Sequence, residues 1–299
     1  MTTIEQDLQT PELGAEVASA LREITSKSLA GRSLVDYVEG ELPLDWRDIS
    51  EGGWTEVGIA EEDGGAGATL RDLVEIAKAW GESTAPLPLL PTLMAKRWSA
   101  PARDCESPVV LAVRTPALPE GRYLAPFGAT PDAQLALGLG TDGDELASPQ
   151  EPQPDGYAPT LRLAELTVGT TFAPEAAREY AVVCAAEAIG CATNLLNLSV
   201  EYVKERVQFG EPIGRKQAVK HRLANALVQL EHGESAVLWA CAEPDATRRA
   251  TAYALDASIS VAQEAIQVHG GLGFTWEMGL HLQLRHMLTL RELIQGVLG

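Results

Sequence analysis

One long periodic stripe constrains the fold of this chain more than any other feature of its sequence. Core-compatible residues recur at alternating spacings of four and three, namely Val182, Ala186, Ile189, Thr193, Leu196, Val200, Val203 and Val207. This spacing is the period of a single buried face along a long α-helix. The segment Glu211-Pro-Ile-Gly214 then breaks the pattern, so we expect the helix to end before it.

Two further helical patterns follow that break. The first runs from about Gln217 to Cys241, and its inward residues are predicted to be Val219, Leu223, Ala226, Leu227 and Leu230. The second begins near Pro244 and carries Ala250, Ala254, Ala257, Val261, Ala265 and Val268. Gly270 and Gly271 give it a C-terminal stop signal. Long helices with short breaks predict an antiparallel bundle.

The N-terminal third also reads as helical. One stripe follows Leu13, Val17, Ala20, Leu21 and Ile24, and another begins at Leu34. Four glycines between Gly58 and Gly67 exclude a regular helix there, after which Thr69 is a candidate cap for a helix whose apolar face ends at Trp80. Prolines at 86, 88 and 91 are expected to end this helical part.

The segment between these helical parts has a different character. Its short β-compatible runs cover residues 109–113, 134–139 and 161–168, separated by turn signals. A single small sheet is not stable alone, so we expect it to pack on the helices. The sequence thus predicts a mostly α fold with a small β domain. The expected boundaries are 1–104 for a helical domain, 105–172 for a reduced β domain and 173–299 for a helical bundle.

Charge and cysteine content exclude several classes of function. The net charge of −19 disfavours binding to nucleic acid or to an anionic membrane. The N-terminus is acidic and polar, unlike a signal peptide, and we find no apolar run of membrane-spanning length, so a cytoplasmic location is expected. No metal site is expected, because none of the four cysteines forms a C-x-x-C pair, and buried free thiols are the favoured interpretation.

Basic residues nevertheless gather in one stretch, which contains Lys204, Arg206, Arg215, Lys216, Lys220 and Arg222. One interpretation is a solvated helix end. The other is a site for a small anion such as a phosphate.

Two motifs carry the information about function. The first is Arg206-Val-Gln-Phe-Gly-Glu-Pro-Ile-Gly214 followed by Gln217, and the second is Gln267-Val-His-Gly-Gly-Leu-Gly-Phe274. Together they resemble the two C-terminal signatures of acyl-CoA dehydrogenases. The resemblance extends to the glycine-rich stretch before Thr69, and it implies that family's fold, with a truncated middle domain and a C-terminal antiparallel four-helix bundle.

The resemblance also implies a cofactor and its contacts. In that family both motifs reach the FAD of a neighbouring subunit, which here assigns Arg206, Gln208, Phe209, Gln217, Gln267, Gly270 and Gly271 to FAD binding. Chemistry agrees, because an arginine fork suits a pyrophosphate, amides bond to phosphate or adenine edges, and glycines expose backbone N–H groups. His269 is interpreted as a packing residue, since no partner for a catalytic triad is evident.

The catalytic parts of the family are not matched. Residues 105–170 contain nothing like its Thr-Glu-Pro…Gly-Ser-Asp flavin loop. Ile294 or Gln295 falls where the catalytic glutamate stands in relatives, and Tyr180 falls on an alternative position. Glu179 and Glu292 are only weak candidates for the base. A positioned base contributes about 10²–10⁴ in rate, so this chain alone is expected to be nearly inert.

Three hypotheses follow for function. The first is the non-catalytic subunit of a heteromeric acyl-CoA dehydrogenase, which resembles the α₂β₂ enzymes of steroid side-chain degradation. Its implied partners are a full-length dehydrogenase subunit, an acyl-CoA substrate and an electron-transfer flavoprotein as acceptor. The second is a self-sufficient enzyme with a displaced glutamate base. The third is a flavin-free scaffold or binding protein.

Overall fold

A computed structural model describes residues 12–40 and 44–299. Within these residues, six α-helices come first. They are α1 (Glu12–Ser28), α2 (Leu34–Glu39), α3 (Trp46–Glu51), α4 (Leu70–Ser83), α5 (Leu89–Trp98) and α6 (Ala100–Arg103). A polar side chain caps the N-terminus of four of them, α2, α3, α4 and α6. Thr69 caps α4 as expected, in a capping box with Asp72. The other carboxylate oxygen of Asp72 accepts the Gly14 N–H at 2.7 Å, so it also supplies a partner for the first turn of α1.

The β region consists of very short strands. They are β1 (Val109–Val110), β2 (Tyr123–Ala125), β3 (Gln134–Ala136), β4 (Gly138–Leu139), β5 (Leu146–Ala147), β6 (Gln153–Pro154), β7 (Ala164–Leu166) and β8 (Thr171–Phe172). They pair in the orders β1-β3-β5, β2-β7-β6 and β4-β8. The pairs β1–β3 and β4–β8 are parallel, and the others are antiparallel.

Four long helices form the C-terminal part, three of them predicted by the periodicity and the fourth implied by the family resemblance. They are α7 (Pro174–Glu205), α8 (Gln217–Ala242), α9 (Thr247–His269) and α10 (Leu280–Leu298). Between α7 and α8 lies a hairpin of β9 (Val207–Gln208) and β10 (Glu211–Pro212). Helix α7 packs against α4, α8, α9 and α10, and therefore forms the centre of the molecule.

The crossing of α4 and α7 depends on two glycines. A Cβ on Gly81 would overlap the Glu187 carbonyl, and a Cβ on Gly190 would overlap the Lys78 carbonyl. The two backbones therefore approach more closely than any side chain allows. One continuous apolar core joins this crossing to the β region and to the bundle. For that reason the domain boundaries at 104 and 172 stay a prediction.

Four details differ from the sequence expectations. Val207 lies beyond the end of α7 and is 53% exposed, because the chain turns into the hairpin after Glu205. Leu227 is 47% exposed, because only a narrow face of α8 is covered. Pro91 lies inside the first turn of α5, where its missing N–H costs nothing. Leu161 belongs to a 3₁₀ turn that precedes β7.

Helix α7 is also long and apolar enough, by length and composition, to cross a membrane, which differs from the sequence expectation. Of its most apolar window, 78% is buried inside the protein. Burial to this extent is typical of a core helix.

Candidate functional site

The first motif forms a tight hairpin directly after α7. Phe209 and Gly210 are its two turn residues, with φ of 55° and 82°. Positive φ at both positions defines a type I′ turn, whose twist matches the flanking strands. The Arg206 carbonyl accepts a hydrogen bond from the Ile213 N–H at 2.8 Å, which closes the hairpin.

The backbone of Phe209 is strained in this turn. The left-handed region is unfavourable by about 1–2 kcal/mol for a residue with a side chain, and glycine or asparagine is usual there. The phenyl ring nevertheless is 92% exposed, so no packing within the described chain repays the strain. Strained residues of this kind concentrate at binding sites.

The second motif ends α9 with two glycines, and the structure of this chain explains only the first of them. Gly270 has φ of 63° and ψ of −138°, a conformation that favours glycine. Gly271 does not have a positive φ, and a Cβ built there meets no atom within 4 Å. Neither backbone conformation nor packing of this chain therefore explains the glycine at 271. Gly273 differs, because its Cβ would overlap the Ile266 carbonyl.

A ring stack brings the two motifs to the same end of the bundle. Tyr202, in the last turn of α7, stacks on His269, with 4.2 Å between centroids and 22° between planes. The Arg206 N–H donates to the Tyr202 carbonyl at 2.9 Å, and Gly270 directly follows His269. An ion pair from Arg222 to Glu264 at 2.9 Å also joins the start of α8 to the end of α9.

His269 is buried, with 4% of its surface exposed. Burial lowers the pKa of its imidazole, which is therefore neutral near pH 7. Its stack on Tyr202 agrees with its interpretation as a packing residue.

The proposed FAD contacts face outward at this end. Arg206, Gln208, Phe209, Gln217, Gln267 and Gly271 are exposed, and Gly270 is half-buried. Of the neighbouring cations, Lys204, Lys216 and Arg222 pair with Glu201, Glu211 and Glu264. Arg206 has no ion-pair partner among residues 12–40 and 44–299. The arrangement presents an unpaired guanidinium, several amides, an aromatic ring and open backbone to another molecule.

Sequence comparisons identify the family. The family model for the C-terminal domain of acyl-CoA dehydrogenases matches residues 168–294. The acyl-CoA dehydrogenase IpdE2 of Mycolicibacterium smegmatis is 33% identical over 92% of this chain and 91% of that protein. IpdE2 of Mycobacterium tuberculosis is 34% identical over 84% of this chain and 82% of that protein. This chain belongs to the acyl-CoA dehydrogenase family.

Solved structures show the same acyl-CoA dehydrogenase fold. A variant of the Tcur3481–Tcur3483 steroid ACAD has a TM-score of 0.76 at 22% identity and covers 97% of this chain and 95% of that chain. The ChsE4–ChsE5 complex of Mycobacterium tuberculosis gives 0.76 at 18% identity, with the same coverage. The FAD complex of PigA gives 0.72 at 15% identity, covering 97% of each chain. At these identities the likeness establishes the fold, and the PigA complex shows a flavoprotein on it.

Glu179, a weak candidate for the dehydrogenase base, lies in a structural ion pair. Its carboxylate accepts bonds from Arg97 at 2.6 and 3.0 Å and from the Trp98 indole at 2.8 Å. Only 5% of Glu179 is exposed. Arg97 also donates to the carbonyls of Gly58 and Ala68, so the pair fixes the glycine-rich loop against α7. These contacts favour a structural role for Glu179.

The other positions considered for a dehydrogenase base differ in their exposure. Glu292 is half-buried on α10, and Ile294 is buried. Tyr180 is buried, stacks on Phe172 at 5.8 Å, and has a pKa that burial raises well above its ordinary value. It lines a cavity of about 20 Å³ closed by Phe127 and Leu161, among others. A cavity of this size holds about one water molecule.

Sequence reasoning missed a buried polar chain. The His286 ring bonds to the Thr160 hydroxyl at 2.9 Å and to the Glu187 carboxylate at 3.1 Å. All three side chains are buried, and together they connect the β region, α7 and α10. A glutamate inside the apolar run of α7 was the one available signal, and nothing in the sequence pairs it with His286.

Metal binding has no structural support in the described ranges. No group of three or more His, Cys, Asp or Glu side chains there could hold an ion. No disulfide bond forms in the described chain, and Cys184 and Cys191 are buried as expected.

Proposed function

We propose that this chain is the non-catalytic subunit of a heteromeric, FAD-dependent acyl-CoA dehydrogenase, which performs α,β-dehydrogenation of an acyl-CoA thioester. One observation carries the proposal. Phe209 projects into solvent from a strained turn, at the same end of the bundle as the open backbone of Gly271. Nothing in the described chain uses either feature, so both are available to a second polypeptide and its cofactor.

The residues at this end fit FAD by their chemistry. Arg206 offers a planar fork of donors for a diphosphate, and Gly270 and Gly271 leave room for it, since a Cβ at either meets nothing within 4 Å. Gln208, Gln217 and Gln267 supply exposed amides for phosphate or adenine edges. Bound FAD would supply the acceptor for the hydride from the β-carbon of the substrate. The role of this chain is to bind and orient the nucleotide part.

The catalytic base would come from the partner subunit. Proton removal α to the thioester needs a carboxylate that reaches the α-carbon. Glu179 is held by Arg97 and Trp98, and the space beside Tyr180 is too small for an acyl group. These contacts support a division of labour in which this chain completes a site that it does not itself contain.

The proposed assembly is an α₂β₂ heterotetramer in the cytoplasm that uses an electron-transfer flavoprotein as acceptor. A steroid side-chain CoA ester is the proposed substrate, and the proposed domains are 1–104, 105–172 and 173–299. Support comes from a solved structure of the same fold. The Tcur3481–Tcur3483 fold match is itself a steroid ACAD.

Coexpression with a full-length dehydrogenase encoded by an adjacent reading frame tests the proposal. We expect a colourless chain alone, and a yellow complex with one FAD per pair of unlike chains. One FAD per chain in a self-associated protein would support the self-sufficient enzyme and contradict the proposal. A colourless protein in both preparations would instead favour the scaffold.

Two matched variants sharpen that test. Arg206→Lys keeps the charge but removes the fork, and we expect FAD to be lost from the complex. Arg47→Lys on the exposed face of α3, where the side chain is 81% exposed, is the control and should retain FAD. Equal FAD retention by the two variants would show that the guanidinium at 206 does not touch the cofactor.

A further inference from the structure

A second site candidate lies away from the two motifs. A cleft of about 650 Å³ opens between the α1–α2 segment and the bundle, and its walls come from α1, α2, α4, α7 and α10 and from His269 at the end of α9. None of the seven proposed FAD contacts lines it. Its size is in the range of small-molecule pockets.

One wall of this cleft carries an acceptor nitrogen without a partner. The Nδ1 atom of His269 lies 2.8 Å from the Ala265 carbonyl, so this nitrogen must carry the proton. Burial lowers the pKa of the ring, and the neutral form leaves Nε2 as an acceptor. No donor in the described ranges reaches Nε2, although only 4% of His269 is exposed.

A second buried acceptor lines the same cleft. The Thr84 hydroxyl donates to the Gly81 carbonyl at 2.9 Å and accepts the amide NH₂ of Gln283 at 2.9 Å. This assignment leaves Oε1 of Gln283 as an acceptor, and no donor from the described part of the chain reaches it. Gln283 is 3% exposed. Both residues line the cleft, so a ligand that carries N–H or O–H donors would supply the bonds that the described chain does not.

The remaining wall residues indicate the charge and the shape of such a ligand. Arg22 and Glu82 form a two-pronged ion pair at 2.8 and 2.7 Å. The other charged residues of the described lining are Arg32 and Glu277, so the wall carries two charges of each sign. Tyr37, Leu198 and Met278 add flat and apolar surface. A charged ligand would gain little from these walls, whereas a ring would bury apolar area.

We propose that this cleft binds a small, uncharged, planar molecule that presents N–H or O–H donors on its inner edge to His269 Nε2 and Gln283 Oε1. The inference goes beyond the proposed function, since it requires neither FAD nor a partner subunit. Its failure would leave the FAD proposal intact, and the reverse also holds.

Guanosine is a suitable probe, because its base carries two adjacent donors, N1–H and the 2-amino group. Inosine lacks the amino group and is the matched ligand control. Titration of the full chain, followed by calorimetry and by the imidazole ¹⁵N signals, should give millimolar or tighter binding with guanosine ahead of inosine. Binding should shift the Nε2 signal of His269. Absence of guanosine binding at millimolar concentration would overturn the proposal.

Substitutions locate the site. His269→Phe keeps a ring against Tyr202 but removes the acceptor, and guanosine affinity should fall by about tenfold. His221→Phe, at an exposed position on α8, should leave affinity unchanged. Gln283→Met provides a second variant if His269→Phe does not fold, and the same loss is expected. Unchanged affinity in a folded His269→Phe or Gln283→Met protein contradicts the assignment.

Discussion

Arg97 on α5 donates two parallel hydrogen bonds, of 2.6 and 3.0 Å, to the carboxylate of Glu179 on α7. The geometry is that of a fork-to-carboxylate pair, the strongest common form of ion pair in proteins. Because the same guanidinium donates to two carbonyls that flank the glycine-rich loop, the pair joins three segments that are distant in sequence. A carboxylate so fully engaged is poorly placed to take a proton from a substrate.

Glu179→Gln should therefore affect stability rather than catalysis. Removing one partner of a buried pair leaves the other charge uncompensated, and we expect a loss of about 3 kcal/mol in the free energy of unfolding. Urea denaturation measures this loss. The turnover of the folded, FAD-loaded complex should stay within a factor of about two. A fall of about 10²-fold or more in turnover would instead identify Glu179 as the base.

Glu175→Gln is the matched control for that variant. Glu175 pairs with Arg178 on the same helix, but its side chain is 51% exposed. Exposed pairs contribute about 0–1 kcal/mol, so this substitution should be nearly neutral in both measurements.

Phe209→Gly should separate folding from binding. Glycine adopts a positive φ freely, so the variant should keep or slightly raise the stability of the chain alone, by up to about 1 kcal/mol. The loss of the aromatic wall should lower FAD retention in the complex. Thermal unfolding and flavin absorbance report the two effects. A variant that is destabilised while it retains FAD would show that the ring packs within this chain.

Gly271→Ala tests the open backbone of the second motif. A Cβ at 271 meets no atom within 4 Å, so the isolated chain should unfold at the same urea concentration as the unmodified protein. The methyl group should obstruct a diphosphate, and FAD content should fall. Gly273→Ala is the opposite control, because its Cβ overlaps the Ile266 carbonyl and should destabilise the chain alone. Full FAD content in the Gly271→Ala complex would remove this residue from the cofactor site.

The sequence predicted long-range architecture better than local detail. The stripe from Val182 to Val203 identified α7 because a helix buried along its length repeats every 3.6 residues. It failed at Val207, because that residue already belongs to strand β9 of the hairpin. The strands were harder to predict from the sequence, because segments of two or three residues are too short to show a period. Their pairing is also non-local, since β4 pairs with β8 across more than thirty residues of intervening chain.

The candidate site was likewise predicted only in part from the sequence. Motif residues could be named from the sequence, but their common location depends on the stack of Tyr202 on His269. The pair of Glu187 with His286 spans 99 positions, and no local pattern indicates it. The left-handed backbone of Phe209 could also not be predicted, because glycine or asparagine usually occupies such a turn position.

Gly190→Ala should disrupt the crossing of α4 and α7. The new methyl group would overlap the Lys78 carbonyl, which is backbone and cannot rotate away. Overpacking typically costs about 1–3 kcal/mol, and a rigid backbone contact favours the upper end. Gly156→Ala, in a loop where a Cβ meets nothing within 4 Å, should be neutral in the same urea titration. Equal midpoints for the two variants would mean that the helices can separate without cost.

Acid should destabilise the chain through two histidines. Burial lowers the pKa of His269 and of His281, and the Arg285 charge lowers that of His281 further. The unfolded chain therefore binds more protons than the folded chain once the pH falls below about 6.5, so the free energy of unfolding decreases there. Above that pH both states are neutral at these rings and the contribution is constant. The double variant His269→Phe/His281→Phe should show a shallower decline between about pH 7 and pH 5 in urea titrations, while an unchanged slope would assign the acid sensitivity to other groups.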